Sequence, residues 1–398
     1  MTKSQIPKIL AVGLSMTLTA SSLKAAGNIW TDSDLTATQN WSTATWTPSI
    51  PDWTTTAGDL ATFSGNGART TTLDTNVTIG SVRAATSGGG VTIVSDGIHA
   101  LTLDGTGMTA ANQTFNNANV ASLAIANGNA SGSRGYSVGT SSAGLTINLL
   151  TDLNVGIGSG TGSSLSVFGT ITNASGSAKT ITFLENSTAG TSGAPNITIA
   201  SAIGAAGSAI AINNAGSSAN TMVTRGVTTI SGSLGANVTT VTENSSSSAL
   251  TLSGANSFSG GATVTLGLLT VTSTGNLGTG NVTLADTTGV TLTLQNNNAI
   301  ADSAIVTFGT NSIINLNGTA STSETIAGLF DSTTSTLFNT PGTYTMAQLN
   351  AQFGTTTTFA SSAGETITIA AVPEPGSSAL LVGGMGLLTA WQRRRRLA

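Results

Sequence analysis

The chain has 398 residues, of which only 7% are charged where an ordinary soluble domain carries roughly 25%, and it holds 49 glycines, one histidine and no cysteine. The missing cysteine excludes disulfides, thiolate metal sites and a cysteine nucleophile. The net charge of -4 hides a division, because residues 27–372 carry 15 acids against 5 bases, a balance of -10 that disfavours DNA or RNA as a partner.

Residues 1–26 place Lys3 and Lys8 ahead of an apolar run from Ile9 to Ala20 and then turn to small residues, the three-part layout of a secretory signal peptide. Export is therefore expected. An amphipathic first helix is the rival reading, and the run is too short to span a bilayer. Residues 27–66 follow with four of the five tryptophans, Trp30, Trp41, Trp46 and Trp53. Large aromatics suit a cap over the open edge of a first coil, while a platform that stacks on carbohydrate is the functional alternative.

From residue 67 to 371 short β-type runs succeed one another, among them VTIV at 91, LTINLL at 145, TITFL at 180, ITIA at 197, VTTI at 227, VTLTL at 290 and ITIA at 367. Each alternates apolar residues with Thr or Ser, or is uniformly β-branched, and is bounded by Gly, Asn or Ser. No helical period is visible between them. Strands this frequent and uniform predict an all-β solenoid in which each coil pairs with the next. At about twenty residues per coil the body would have roughly seventeen coils and be about 80 Å long, given a strand spacing of ~4.8 Å.

Within this body, residues 249–284 read ALTLSGANSFSGGATVTLGLLTVTSTGNLGTGNVTL. A Leu-Thr-Leu strand (Leu250 to Leu252) leads into a turn with Gly254, Asn256, Phe258, Gly260 and Gly261, then a strand from Val264 to Leu266, then Leu277 and Gly278. Paired glycines permit positive φ at a tight bend, and an asparagine at a corner can bond a neighbouring backbone. The stretch resembles the autotransporter-associated β-strand repeat, which implies a right-handed parallel β-helix.

Chemistry-bearing residues are sparse. His99 has Asp96 and Asp104 near it in sequence, but both acids precede glycine and read as turn residues. Arg69, Arg83, Arg134, Lys179 and Arg225 are scattered over the body. Calcium-loop and nucleotide-binding signatures are absent from the sequence, so neither a cofactor nor a metal site is expected. The expectation is a protein that is not an enzyme, with a β-helix polysaccharide lyase or hydrolase as the alternative.

The last segment, residues 372–398, opens with Val372, Pro373, Glu374 and Pro375, continues through an uncharged run from Gly376 to Trp391, and reaches Arg393, Arg394, Arg395 and Arg396. Sixteen residues make roughly 24 Å of helix, which snorkelling arginines extend across a ~30 Å hydrocarbon core. The arginine block reads as a membrane stop with its flank in the cytoplasm. A nucleic-acid-binding tail is the rival, and the acidic body argues against it. The order of these three parts resembles the PEP-CTERM sorting domain. That resemblance implies a C-terminal transmembrane helix and an exosortase partner that processes the chain near the proline bracket, in a setting of exopolysaccharide. A self-exporting autotransporter would end instead in a membrane barrel. Together these readings describe an exported surface or matrix protein, structural or adhesive, meeting exopolysaccharide or copies of itself.

Overall fold

The computed structural model describes residues 29–371 except 33–37, 45, 48–57, 66, 87–88, 109–118, 126–134, 158–162, 186–195, 216–225, 273, 319–322, 356–357 and 363. The expected signal helix, the C-terminal helix, Trp53 and residues 372–398 lie outside the described residues. Among the described residues no helix is long and apolar enough to cross a membrane.

The body is an all-β solenoid built from three parallel ladders, with one further parallel pair, Ser323–Ile326 and Thr366–Ile369, near its C-terminal end. The first runs through twelve rungs from Ile29–Asp32 to Gly328–Asp331, each strand bonding the corresponding strand one coil on. The second also has twelve, from Thr38–Asn40 to Phe359–Ser361. The third has five strands, from Val77–Ile79 to Ala202–Gly207, and is extended by a bridge from Ile203 to Leu234. With eleven spacings of ~4.8 Å the first ladder is about 50 Å long.

Coils are fewer and longer than a uniform twenty-residue period implies. Val241 pairs with Ala262 and Ala262 with Val282, steps of 21 and 20 residues, but Ser81 pairs with Ser122, a step of 41. The short period holds where the repeat-like stretch lies. Elsewhere much of the extra length falls between first-ladder and second-ladder strands, where a loop can grow at little entropic cost without disturbing the pairing.

Alternation places every second side chain inside, and in-register pairing stacks them into columns. One first-ladder column runs Ala61, Val82, Leu123, Val155 and Phe183. A second-ladder column runs Val138, Val167, Ile199, Ile230, Leu252 and Val271. All are essentially buried. Removing each Val, Leu or Ile from water contributes about 1.5–3 kcal/mol, and one continuous core results.

The chain folds back on itself at both ends, over one ladder at the start and over all three faces at the finish. At the start, Trp46–Thr47 folds back antiparallel on Ile29–Asp32. Trp41 is fully buried and packs edge-on against Phe63, with ring centroids 6.1 Å apart. The region expected to be a separate cap also supplies ladder strands, since Leu60–Gly65 is the second rung of the first ladder. At the far end, Thr336–Phe338 covers Gly328–Asp331 and Gly342–Thr345 covers Thr366–Ile369, both antiparallel. Between these two strands and the final coil lies the helix Met346–Phe353, in a stretch where the sequence reading saw no helical period. It starts at a reciprocal capping box between Thr345 and Gln348 and stops at Gly354, whose φ is 66°. Its Asn350 amide donates to Phe359 O (2.8 Å) and accepts from Phe359 N–H (3.0 Å), which covers the second ladder's last strand. Phe353 of this helix stacks edge-on with Phe308 at 4.9 Å.

The inward and outward halves of a strand should respond differently to truncation. Phe183→Ala is expected to cost about 3–5 kcal/mol in urea unfolding, and Thr182→Ala, its outward neighbour, under about 1 kcal/mol. Similar losses for both would contradict the column assignment.

Candidate functional site

The five residues predicted for the repeat turn come together on the third face, where the backbone ladder gives out after Leu234. From that point side chains share the stitching with single backbone bonds such as Ser257 N–H to Leu234 O at 2.8 Å. Asn256 Oδ1 accepts the Leu234 N–H at 2.9 Å, and its Nδ2 donates to Asn276 O at 2.6 Å. Asn276 Oδ1 in turn accepts from the N–H groups of Asn256 (3.2 Å) and Gly278 (3.1 Å). A planar amide has one acceptor and one donor edge, as a peptide does, and so can stand in for a ladder rung.

The glycines are set by close approach. A Cβ on Gly260 would lie 1.2 Å from Thr239 O, and one on Gly254 would lie 2.2 Å from Gly232 O. Gly261 has φ +85°, a conformation that side-chain-bearing residues rarely adopt. Phe258 and Leu277 are fully buried beneath these turns, and Thr279 N–H donates to Phe258 O at 2.8 Å.

Farther along the same face a carboxyl does the same task. Glu324 accepts Ile300 N–H at 2.8 Å and Ala299 N–H at 3.1 Å while almost fully buried. Burial pushes its pKa up to about 7, against the pull of the two backbone donors, and the nearby Asp302 adds a little in the same direction. The sequence reading did not single out Glu324; the signal available was a lone acid inside the strand-like TSETI.

A second polar group sits inside the apolar columns and was also missed. In the first ladder, Phe183 is followed inward by Asn214 and then Glu243 before Val264 restores the apolar series. Asn214 Nδ2 donates to Glu243 Oε2 (2.7 Å) and to Ser248 Oγ (3.0 Å), and Ser245 N–H donates to Glu243 Oε1 (2.9 Å). Thr228 Oγ1 donates to Asn214 Oδ1 at 3.4 Å. All five residues are buried, so the network is strong only as a complete set.

The three residues weighed as a catalytic group do not converge. Asp96 Oδ1 accepts the N–H groups of Ile98 and His99, both at 3.0 Å, and Asp96 Oδ2 lies 2.7 Å from His99 Nδ1. Those two backbone bonds, with the imidazole assisting, hold the Asp96 carboxyl below its usual range. Asp104 instead accepts Thr106 N–H in a turn of its own. Arg69 is buried in the second ladder and Arg83 points outward from the first, while Arg134 and Arg225 lie outside the described residues. Among the described residues no group of three or more His, Asp or Glu is arranged to hold a metal ion.

Comparison of the chain with protein-family models, with curated proteins and with solved structures gave no match. The sorting residues Val372, Pro373, Glu374 and Pro375 and the stop residues Arg393, Arg394, Arg395 and Arg396 lie outside the described residues.

Two measurements test the roles of this face. Gly260→Ala should cost at least roughly 2 kcal/mol because its Cβ meets backbone, and Gly67→Ala, where a Cβ meets nothing within 4 Å, should be near neutral in the same unfolding assay. The pKa of Glu324 is raised on folding, so its contribution to stability is fully present below its unfolded pKa and is lost as pH rises through about 7. Relative to Glu324→Gln, the wild type should therefore lose up to roughly 3 kcal/mol between pH 4 and pH 8. Parallel stability-versus-pH curves for the two proteins would exclude that role.

Proposed function

We propose that this chain is an exported cell-surface or extracellular-matrix protein whose solenoid body, wound as a right-handed parallel β-helix, has a structural or adhesive task. The observation that carries the reading is the pair of twelve-rung parallel ladders covered at their C-terminal end, with polar side chains engaged in coil-to-coil bonds. Such a body is stiff and long relative to its width. Its low charge leaves a surface of hydroxyls and amides that offers many weak hydrogen bonds to sugars or to sister molecules, and multivalency sums them.

In this reading residues 1–26 direct export, and residues 372–398 act as a PEP-CTERM-like anchor. Gly376 to Trp391 would span the membrane, Arg393 to Arg396 would hold the cytoplasmic flank, and an exosortase would process the chain near Pro373, Glu374 and Pro375. Asn256 and Phe258 with Gly254, Gly260 and Gly261 serve the repeat as its turn. A polysaccharide lyase or hydrolase would need the body's acids and bases in one groove, and the dispersal of Asp96, Asp104, Arg69 and Arg83 supports the non-enzymatic reading.

Mass spectrometry of both ends of the mature protein tests this. The expected product starts after the signal segment and ends near the proline bracket, and it co-purifies with cells or matrix. An exported product retaining Arg393 to Arg396, or one that associates with neither cells, matrix glycans nor itself, would overturn the reading.

A further inference from the structure

The outward side of the second ladder carries an unbroken column of hydroxyl and amide groups. Followed through the register from Thr38 to Asn315 it has eleven rungs, eight of them threonine, two serine and the last asparagine. Its central part is Thr198, Thr229, Thr251, Thr270 and Thr293 on five successive coils. Strand neighbours such as Ile197 and Ile199, or Leu250 and Leu252, are fully buried, so alternation turns the threonines outward. The matching column on the first ladder is shorter, nine rungs from Ser81 to Thr307; its first three, Ser81, Ser122 and Asn154, are buried, and Arg83 and Ala124 lie beside them on that side.

Three properties of the column indicate its occupant. The five central hydroxyls make no hydrogen bond among the described residues and stand on the outward side of the strands. A row of hydroxyls uncommitted within the protein suits a ligand that supplies both donors and acceptors. No outward position on the second-ladder strands is ionisable, while the body as a whole is acidic, so a polyanion would meet repulsion with no compensating cation. The strip is about 50 Å long and about 10 Å wide, on the order of 500 Å² and short of the ~800 Å² per partner that a stable protein interface buries. A linear polymer lying along the axis escapes that limit, because it meets every rung with hydroxyls of its own and sums many weak bonds.

We propose that this column is a binding track for an uncharged, extended, β-linked polysaccharide lying along the solenoid axis, whose sugar repeat is close to the strand spacing. The proposal rests on the matrix-adhesive reading and assigns that role to one face.

The test uses the full-length protein with microcrystalline cellulose as the neutral probe and alginate as the anionic one. Combined Thr198→Val, Thr229→Val, Thr251→Val and Thr270→Val removes four hydroxyls and keeps the β-branched shape. The control places Thr242→Val, Thr263→Val, Thr283→Val and Thr307→Val on the first ladder. The expected result is at least about a tenfold loss of cellulose affinity for the first quartet, a change within about twofold for the control, and weaker binding to alginate than to cellulose. The single Thr251→Lys, which puts a charge on the strip, repeats the measurement should the quartet melt lower than wild type. Equal losses from both quartets, no loss from the first, or wild-type protein that ignores cellulose would overturn the track. So would a first quartet that changes only the protein's own sedimentation, which would mark a self-association face. Retained matrix association by a protein that ignores cellulose would sink the track and leave the adhesive reading standing; loss of both would remove the two together.

Discussion

Each coil of this protein has its backbone satisfied by the next, and that single requirement governs the rest. A parallel strand pair leaves its outer edge unpaired, so coils must follow one another until something other than a coil intervenes. In-register pairing also places like above like. Columns of Val, Leu and Ile then form inside and columns of Thr and Ser outside, which explains how a chain with so few charges and aromatics still has a continuous core.

Where the backbone ladder lapses, planar side chains imitate it. Asn256 and Asn276 carry the third face past Leu234, Glu324 accepts two peptide N–H groups farther along, and Asn350 pairs with Phe359 at the end. An amide or carboxylate fits because it presents the same oxygen, or oxygen and N–H, that the missing peptide would. The Asn214 and Glu243 network acts differently: it interrupts an apolar column, and a coil shifted by two residues, which keeps the same face inward, would move its carboxylate away from Asn214 and among aliphatic groups. That penalty favours one register in the stretch where the pairing of Val238–Leu252 is least regular.

Much of this fold was legible in the sequence because its strands announce themselves. Runs such as VTIV, LTINLL and VTLTL alternate cleanly, and each is a strand at the expected place. Ser81–Thr86, Gly135–Val138 and Ala202–Gly207 escaped notice because small residues, or an arginine, dilute their alternation, and only their neighbours' register makes them strands. The short helix Met346–Phe353 was missed for lack of periodicity over eight residues, although its Thr345 and Gln348 box and the following Gly354 were written in the chain. At the third face the glycines and Asn256 were recognisable as turn residues. Their partners were not, since Leu234 and Asn276 are separated from Asn256 by whole coils, and Glu324 looks in sequence like any exposed acid.

The closure at the C-terminal end decides what kind of object the molecule is. With a reversed strand on one terminal edge, another on the second and the Asn350 amide on the third, an incoming chain finds no template on which to lengthen the stack. At this end, then, the described body cannot be extended by further coils. Contacts between such bodies would then fall to their flanks, where the outward columns of hydroxyls stand, and not to this capped edge.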